Sequence, residues 1–139
     1  MATATPQDSS VPAPARSPLL IGIAAWLLPG SGHFLLRRRG RGAIILAAVV
    51  VTFVVGILMR GPMFQPHGGD LLTTAIQWGG FAGDLASGVL YLLTVWFGYS
   101  QPDVAGHVHD YGSKLIVAAG LLNILGMVDA WEIATGKKE

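Results

Sequence analysis

Long apolar runs alternate with short polar segments along this chain. Four runs stand out, and they predict helices that cross a membrane at residues 19–36, 42–59, 78–98 and 114–131. An α-helix rises about 1.5 Å per residue, so such runs cover roughly 27 to 31 Å, close to the hydrocarbon thickness of a bilayer. The pattern predicts an all-α fold: an integral membrane helical bundle of three to four transmembrane helices.

The first run is interrupted by helix-breaking residues. Pro29, Gly30 and Gly32 lie in its middle, where proline removes a helix hydrogen bond and glycine favours other backbone conformations. The segment is therefore broken or kinked at Pro29–Gly32. It forms either one kinked span or a short helix that turns inside the protein before residues 33–36 follow the interface. Broken backbone at membrane depth needs protein cover.

The third run is longer than one crossing requires. A helix that begins at Leu71 extends past Trp96, and Trp78 and Trp96 would lie about 27 Å apart along it. Tryptophan prefers the two membrane interfaces, so these side chains predict a span over residues 78–98. Residues 71–77 are then an amphipathic segment that lies along the surface.

Composition agrees with membrane insertion and excludes several function classes. The chain is 52% hydrophobic and 12% charged, with mean hydropathy +0.55, whereas soluble domains carry about 25% charged residues. A net charge of +1 gives no field for nucleic acid, and without cysteine there is no disulfide or thiolate metal site. No motif of a known catalytic class occurs, so we predict that the protein is not an enzyme.

The chain divides into three segments. Residues 1–18 are rich in proline and small residues, which predicts a disordered N-terminal arm. A signal peptide is the rival interpretation, and the order of polar and apolar segments argues against it. Residues 19–133 form the transmembrane helical domain, and residues 134–139 form a hydrophilic tail.

Small and polar residues within the third and fourth runs predict helix packing. Gly79, Gly83 and Ser87 recur every four residues, which lets two helix backbones approach closely in lipid. Asp84 lies in the same stretch and needs a partner, because a carboxylate at this depth is costly. Asn123 lies at mid-depth of the fourth run and is expected to donate a hydrogen bond to a facing helix.

The basic residues predict the orientation. An arginine cluster between the first two runs should anchor the membrane surface on the cytoplasmic side. Strict alternation then places residues 60–77 outside, residues 99–113 inside and Lys137 and Lys138 outside, the last of which contradicts the positive-inside rule. The conflict vanishes if the first element does not cross and a later element is also re-entrant. The anchors are Arg37, Arg38, Arg39 and Arg41.

A histidine-rich loop precedes the fourth run. His107, His109 and Asp110 are close together, but the motif lacks a convincing third and fourth ligand. We predict no metal site there. Titrating histidines at an interface with another subunit are the favoured interpretation.

The segment AWLLPGSGHFLLRRRGRG resembles a PGxGHFYLGRxxRG type of signature found in small uncharacterised bacterial membrane proteins. These proteins are similar to the two-transmembrane-helix domain family. Leu35 stands where the signature has tyrosine, and Arg37-Arg38 replaces its Gly-Arg step. The resemblance covers residues 24–58 and extends to LLNILGMVDAWEIATGKK near the end. It implies an integral protein of a bacterial inner membrane and implies no reaction. The matching residues are Pro29, Gly30, Gly32, His33, Phe34, Arg38 or Arg39, and Gly42.

Two function classes are consistent with these features. The first is a non-catalytic structural or assembly subunit of a larger respiratory or photosynthetic membrane complex, with the lipid bilayer and other membrane subunits as partners. In that setting His33 is a candidate ligand for haem or chlorophyll. The alternative is a small homo-oligomeric channel or transporter that uses Asp84.

Overall fold

A computed structural model describes residues 16–102 and 104–138. This part of the chain is helical and contains no β-strand, so the predicted all-α class is confirmed for it. The predicted N-terminal arm lies outside the described residues, apart from its last three. The helices are α1 Pro18–Leu27, α2 Ser31–Leu35, α3 Arg39–Leu58, α4 Leu71–Ala86, α5 Val89–Trp96 and α6 His107–Ala134.

The two long helices, α3 and α6, pack against each other in antiparallel orientation. They approach closely because glycines remove side chains at the contact: a β-carbon on Gly56 would lie 2.7 Å from Ile116 Cγ1. At the other end of the pair, a β-carbon on Gly126 would lie 2.9 Å from Ile45 Cγ2. Between these contacts lies a small core of Val49, Phe53, Ile116 and Ala119, all buried.

Both long helices are apolar enough to cross a membrane and are mostly uncovered by the rest of the chain. Only 22% of the most apolar window of α3 and 33% of that of α6 are buried. A core helix of a soluble protein would be buried on most of its surface, whereas Ile44, Leu58 and Leu125 are 71%, 76% and 65% exposed. Among the described residues two helices therefore meet the length and composition of a span, fewer than the three to four predicted.

The first helix runs beside α6 from the end of the bundle towards its middle. Gly22 faces the ring of Trp131, near the carboxyl end of α6, at 3.4 Å from the position of a β-carbon. Four residues later the carbonyl oxygen of Trp26 accepts a hydrogen bond from Asn123, two turns further inward along α6. The direction of α1 is therefore inward, and its last turn ends at mid-depth.

The chain then reverses. Of the two predicted alternatives, the structure has the short helix that turns inside the protein and not the single kinked span. Gly30 adopts a left-handed backbone conformation with φ of 78°, directly after Pro29, and this ends the inward path. The short helix α2 brings His33 back to Asp129, near the carboxyl end of α6. We call α1 and α2 together the first hairpin. The end of the bundle where this hairpin begins is called the arginine end, since residues 37–41 lie there.

The fourth helix enters from the opposite end, which we call the loop end. A β-carbon on Gly83 would lie 2.7 Å from Val117 Cγ1, and the carbonyl oxygen of Ala86 accepts a hydrogen bond from Asn123. The residue numbers of α4 and α6 increase together along this contact, so α4 runs parallel to α6. It ends beside Asn123, at the depth that α1 reaches from the other side.

A second reversal follows at Ser87 and Gly88. The prediction of one continuous span over residues 78–98 is therefore wrong, because the helix ends at Ala86. Gly88 has φ of 64°, and α5 begins after it. A continuous helix would carry Tyr99 about 18 Å beyond Ser87, towards the arginine end. Instead the Tyr99 hydroxyl donates a hydrogen bond to the Gly61 carbonyl at 3.0 Å, back at the loop end. We call α4 and α5 the second hairpin.

The reversal changes where the connecting segments lie. Residues 98–102 and 104–106 share the loop end with residues 59–70, whereas strict alternation predicted opposite sides. Trp78 and Trp96 are likewise not at opposite ends of one helix. Each half of the fold, α1–α3 and α4–α6, therefore has one plan: a helix inward, a positive-φ glycine, a short helix back and a long helix across. The two halves enter from opposite ends of the bundle, as in an inverted repeat.

Candidate functional site

One amide joins the tips of the two hairpins. Asn123 Nδ2 donates a hydrogen bond to the carbonyl of Trp26 at 3.0 Å and another to the carbonyl of Ala86 at 2.9 Å. These carbonyls belong to the last turns of α1 and α4. Carbonyl groups in the last turn of a helix have no N–H donor within their own helix. Because an amide nitrogen carries two protons, one side chain satisfies both helix ends. In the structure the Asn123 side chain thus bonds to two facing helices, where the sequence predicted one.

Further side-chain hydrogen bonds close the tips. Trp26 Nε1 donates to the carbonyl of Leu85 at 3.2 Å, which ties the first hairpin directly to the second. Ser87 Oγ donates to the carbonyl of Asp84 at 2.6 Å, and Ser31 Oγ donates to that of Ala24 at 2.5 Å. Side chains thus satisfy carbonyls that the two reversals would leave open, as buried backbone polar groups require.

Asp84 is buried beside the second tip. Its Oδ2 accepts a hydrogen bond from the backbone N–H of Phe64 at 2.7 Å, so its partner is the 59–70 segment and not a neighbouring helix. The other carboxylate oxygen, Oδ1, is buried without a hydrogen bond in the described structure. The side chain is fully buried, and it lines neither of the two clefts described below.

A charged cluster closes the arginine end. His33 is fully buried, and its Nε2 lies 2.8 Å from Asp129 Oδ2. Arg41 Nη1 lies 3.6 Å from the same oxygen, and the Lys138 ammonium contacts Asp129 Oδ1. The carboxylate therefore joins the first hairpin, the start of α3 and the C-terminal tail. It lies between the buried His33 and the more exposed Arg41 and Lys138.

A haem or chlorophyll on His33 remains a prediction with specific structural requirements. Nε2 is engaged by Asp129, so a metal would need Nδ1, which is buried and has no hydrogen bond. Neither described cleft contains His33, and no group of three or more metal-ligating side chains occurs in residues 16–102 and 104–138. His107, His109 and Asp110 are accordingly not part of such a group.

The predicted small-residue row divides between two environments. Gly83 and Ser87 are buried against α6, where Gly120 approaches the backbone of both. Gly79 is exposed, and a β-carbon added there would meet nothing within 4 Å. The interhelical contact predicted for Gly79 is therefore not made within this chain. Ala75 and Ala82 lie on the same exposed face of α4, four residues before and three residues after Gly79.

Two connected clefts occupy the loop end. The larger is polar, with a volume of about 510 Å³, and lies between the 59–70 segment and the start of α6. The smaller is an apolar groove of about 290 Å³ between α4 and α6. Phe64 and Lys114 line both, so the two clefts meet at these residues. The polar side chains of the larger cleft include Gln65, His67, Gln77, Gln101, Asp110 and Lys114.

Sequence reasoning missed three partners in these sites. It gave Asp129, Trp26 and Phe64 no role in a site. Asp129 lies 96 positions from His33, and no local pattern links the two. The resemblance held a usable signal, since its two segments, residues 24–58 and the C-terminal stretch, are the segments that the His33–Asp129 and Trp26–Asn123 contacts bring together.

Fold and sites define a small helical protein with two helices long and apolar enough to cross a membrane, and with two reversing hairpins between them. The chain belongs to a family described as a family of unknown function (DUF6677), which it matches over residues 20–139. No curated protein and no solved structure shows significant similarity to it.

Proposed function

We propose that this protein is a multi-pass inner-membrane protein and a non-catalytic subunit of a larger membrane complex. In this arrangement α3 and α6 cross the bilayer, while both hairpins are re-entrant and meet at mid-depth. The exposed apolar side chains along α3 and α6 support the placement, since lipid would cover them. The arginine end faces the cytoplasm.

The reversals support this orientation by removing the conflict with the positive-inside rule. With two crossings, the arginine cluster, Lys137 and Lys138 all lie on one side. The contact of Lys138 with Asp129, beside Arg41, holds the C-terminal tail at that end. Basic residues on one side are what membrane insertion favours.

The outward face of α4 supports the proposal that the protein has a partner subunit. Ala75, Gly79 and Ala82 form an exposed row at helical spacing, while the neighbouring row with Gly83 and Ser87 is already packed against α6. Small residues on a membrane helix permit close approach of a second helix. A lipid-facing helix has no need of such a row, so we propose that a helix of another subunit packs along it.

Co-purification from native membranes tests this function. The tagged full chain, extracted in mild detergent, should bring down other membrane subunits at fixed stoichiometry. Gly79→Leu should remove them, because the new side chain fills the space that the partner helix needs. Gly40→Leu is the matched control, since Gly40 is also helical with nothing within 4 Å of its β-carbon position. Purification of only this chain from its native membrane would refute the proposal.

A second candidate function is a channel or transporter, favoured by one observation. Asp84 has a buried oxygen without a hydrogen bond, and it lies beside a helix break in an inverted arrangement, where transporters bind ions. In the structure the tips are in contact, so transport would require them to separate. Flux into liposomes tests this function: Asp84→Asn should abolish it, and unchanged flux would remove the support.

A further inference from the structure

The apolar groove of about 290 Å³ between α4 and α6 is bounded by a lysine at one end. Its α6 wall consists of Val117, Ala118 and Leu121, on successive turns below Lys114, and its α4 wall includes Ile76. From Lys114 to Leu121 the groove extends about 10 Å along the helix. Only apolar residues line it below Lys114.

The polar cleft above the groove offers two opposite charges in a fixed order. Asp110 and Lys114 both line it and lie one turn apart on α6, with Lys114 nearer to the groove. The ion pairs of the described residues all converge on Asp129, so neither of these groups is engaged in one. The Lys114 ammonium lies 5.3 Å from the centre of the Tyr111 ring, which orients it without neutralising it.

The junction between groove and cleft is held by contacts of Phe64 with α4. Phe64 lines both, and its backbone N–H is bound to the buried Asp84 at 2.7 Å. Its ring packs against Gly80 of α4, where any side chain larger than hydrogen would collide with it. A ligand that crosses this junction would therefore meet a preformed site, apolar on one side and polar on the other.

We infer that this composite site binds one phospholipid with a phosphoethanolamine head group. One acyl chain lies in the groove, the phosphate contacts Lys114 and the primary ammonium contacts Asp110. The order of the two charges favours this head group. The Lys114 cation lies next to the groove, where the phosphate of a lipid follows its acyl chains, and the Asp110 carboxylate lies one turn further outward. An anionic head group without an amine would leave Asp110 facing negative charge. This inference rests on the proposed membrane placement of the loop end.

Lipid retention tests the inference. The full chain is reconstituted in vesicles of equal parts phosphatidylethanolamine, phosphatidylcholine and phosphatidylglycerol, extracted in mild detergent and analysed by native mass spectrometry. The ethanolamine lipid should be retained over the choline lipid about tenfold, since a quaternary ammonium cannot donate the charge-assisted hydrogen bond. Retention of phosphatidylglycerol above the ethanolamine lipid, or of the ethanolamine and choline lipids equally, would overturn it.

Variants separate the three parts of the site. Asp110→Asn should reduce the ratio of retained ethanolamine lipid to retained choline lipid to about one. Lys114→Gln should weaken the retention of both lipids about fivefold, because both head groups carry phosphate. Ala118→Phe and, independently, Ile76→Trp should fill the groove and remove retention of all three lipids. Val51→Phe, on an exposed position of α3, is the control and should retain the wild-type pattern.

The outcomes are independent of the proposed partner. Gly79→Leu should lose the partner subunits and keep the lipid preference, because Gly79 lines neither cleft. If Asp110→Asn keeps the preference for the ethanolamine lipid, the lipid site is wrong while the subunit function stands. If the preference follows the variants but no subunit co-purifies, the subunit function is wrong and the lipid site stands.

Discussion

The two hairpins reach the same depth from opposite ends and reverse with different chemistry. The first turns at Pro29 and Gly30, where a proline ends the helix before the glycine changes direction. The second turns at Ser87 and Gly88 without a proline. The Ser87 hydroxyl, just before the turn, caps the Asp84 carbonyl, whereas in the first hairpin the Ser31 hydroxyl, just after the turn, caps the Ala24 carbonyl. What they share is a glycine in the left-handed region. The comparison shows that the positive-φ glycine, and not the proline, is common to both reversals.

Their attachment to the rest of the bundle differs as well. The first hairpin is held by the contact of the buried His33 with the partly exposed Asp129, close to the arginine end. The second is held by Asp84, whose partner is the backbone of Phe64 in the loop-end segment. Both depend on Asn123 at the tips. Both hairpins therefore need the Asn123 amide, whereas each has its own contact further from the tips.

Substitution of the two turn glycines should have the largest effect. At Gly88 a β-carbon would lie 2.8 Å from the carbonyl oxygen of Leu27, and at Gly30 it would lie 3.1 Å from the carbonyl carbon of Gly42. Gly88→Ala and Gly30→Ala should each cost about 2 to 4 kcal/mol, from left-handed strain plus backbone overlap. Equilibrium unfolding in detergent micelles measures this loss.

Pro29→Ala is the matched control for that comparison. It removes the proline and leaves Gly30 in place, so the first hairpin should keep its reversal with a loss of about 1 kcal/mol or less. A larger loss for Pro29→Ala than for Gly30→Ala would show that proline determines the first turn, and the shared role of glycine would be disproved.

Asn123→Leu should have the next largest effect. The substitution keeps the approximate size of the side chain and leaves the carbonyls of Trp26 and Ala86 without their donor. We expect a loss of about 2 kcal/mol in unfolding free energy, roughly 1 for each hydrogen bond. Leu125→Ala, at an exposed position of the same helix, is the control and should change stability by much less. Equal effects would contradict the bridging role of the amide.

Trp26→Phe should weaken only the direct connection between the hairpins. It removes the indole N–H that donates to the Leu85 carbonyl and keeps most of the apolar surface. The expected loss is about 1 kcal/mol. Combined with Asn123→Leu in a double-mutant cycle, it should give a non-zero coupling energy, because both residues join the same two tips. Strict additivity would argue that the tips are held independently.

Asp70→Asn should have the smallest effect, at the start of the second hairpin. The hydroxyl of Thr73 donates a hydrogen bond to the Asp70 carboxylate and lowers its pKa below the ordinary 3.8. A lowered pKa in the folded state means that the ionised form stabilises the fold above the ordinary pKa and that this contribution is lost as pH falls below it. The thermal midpoints of wild type and Asp70→Asn should therefore differ slightly at pH 7 and converge in acid. Thr73→Val should reproduce the same pattern.

Local sequence features predicted the long helices and the first break, with a reversal there as one of two alternatives. The uncharged run at residues 42–59 corresponds to α3, and the run at 114–131 lies within α6. Pro29 and Gly30 indicated the first break because both residues interrupt a helix on their own. These features depend only on neighbours in the chain.

The second reversal and the charged cluster could not be predicted in that way. Ser87 and Gly88 belong to a row of small residues that also indicates helix packing, and Ser87 does pack against α6. Only the contact of the tip with α1 shows that the helix ends there. His33 and Asp129 come from opposite ends of the sequence, and their pairing depends on how the first hairpin lies against α6.

The position of Gln101 tests the central claim most directly, because a re-entrant second hairpin and a crossing one place this residue on opposite sides of the membrane. The chain contains no cysteine, so single cysteines can be introduced at Gly40, Gly68, Gln101 and Gly136 and labelled in intact cells with a membrane-impermeant maleimide. We expect labelling of Gly68→Cys and Gln101→Cys from outside, and of Gly40→Cys and Gly136→Cys only after permeabilisation. Labelling of Gln101→Cys together with Gly40→Cys, and not with Gly68→Cys, would show that α4 and α5 cross the membrane and would contradict the account.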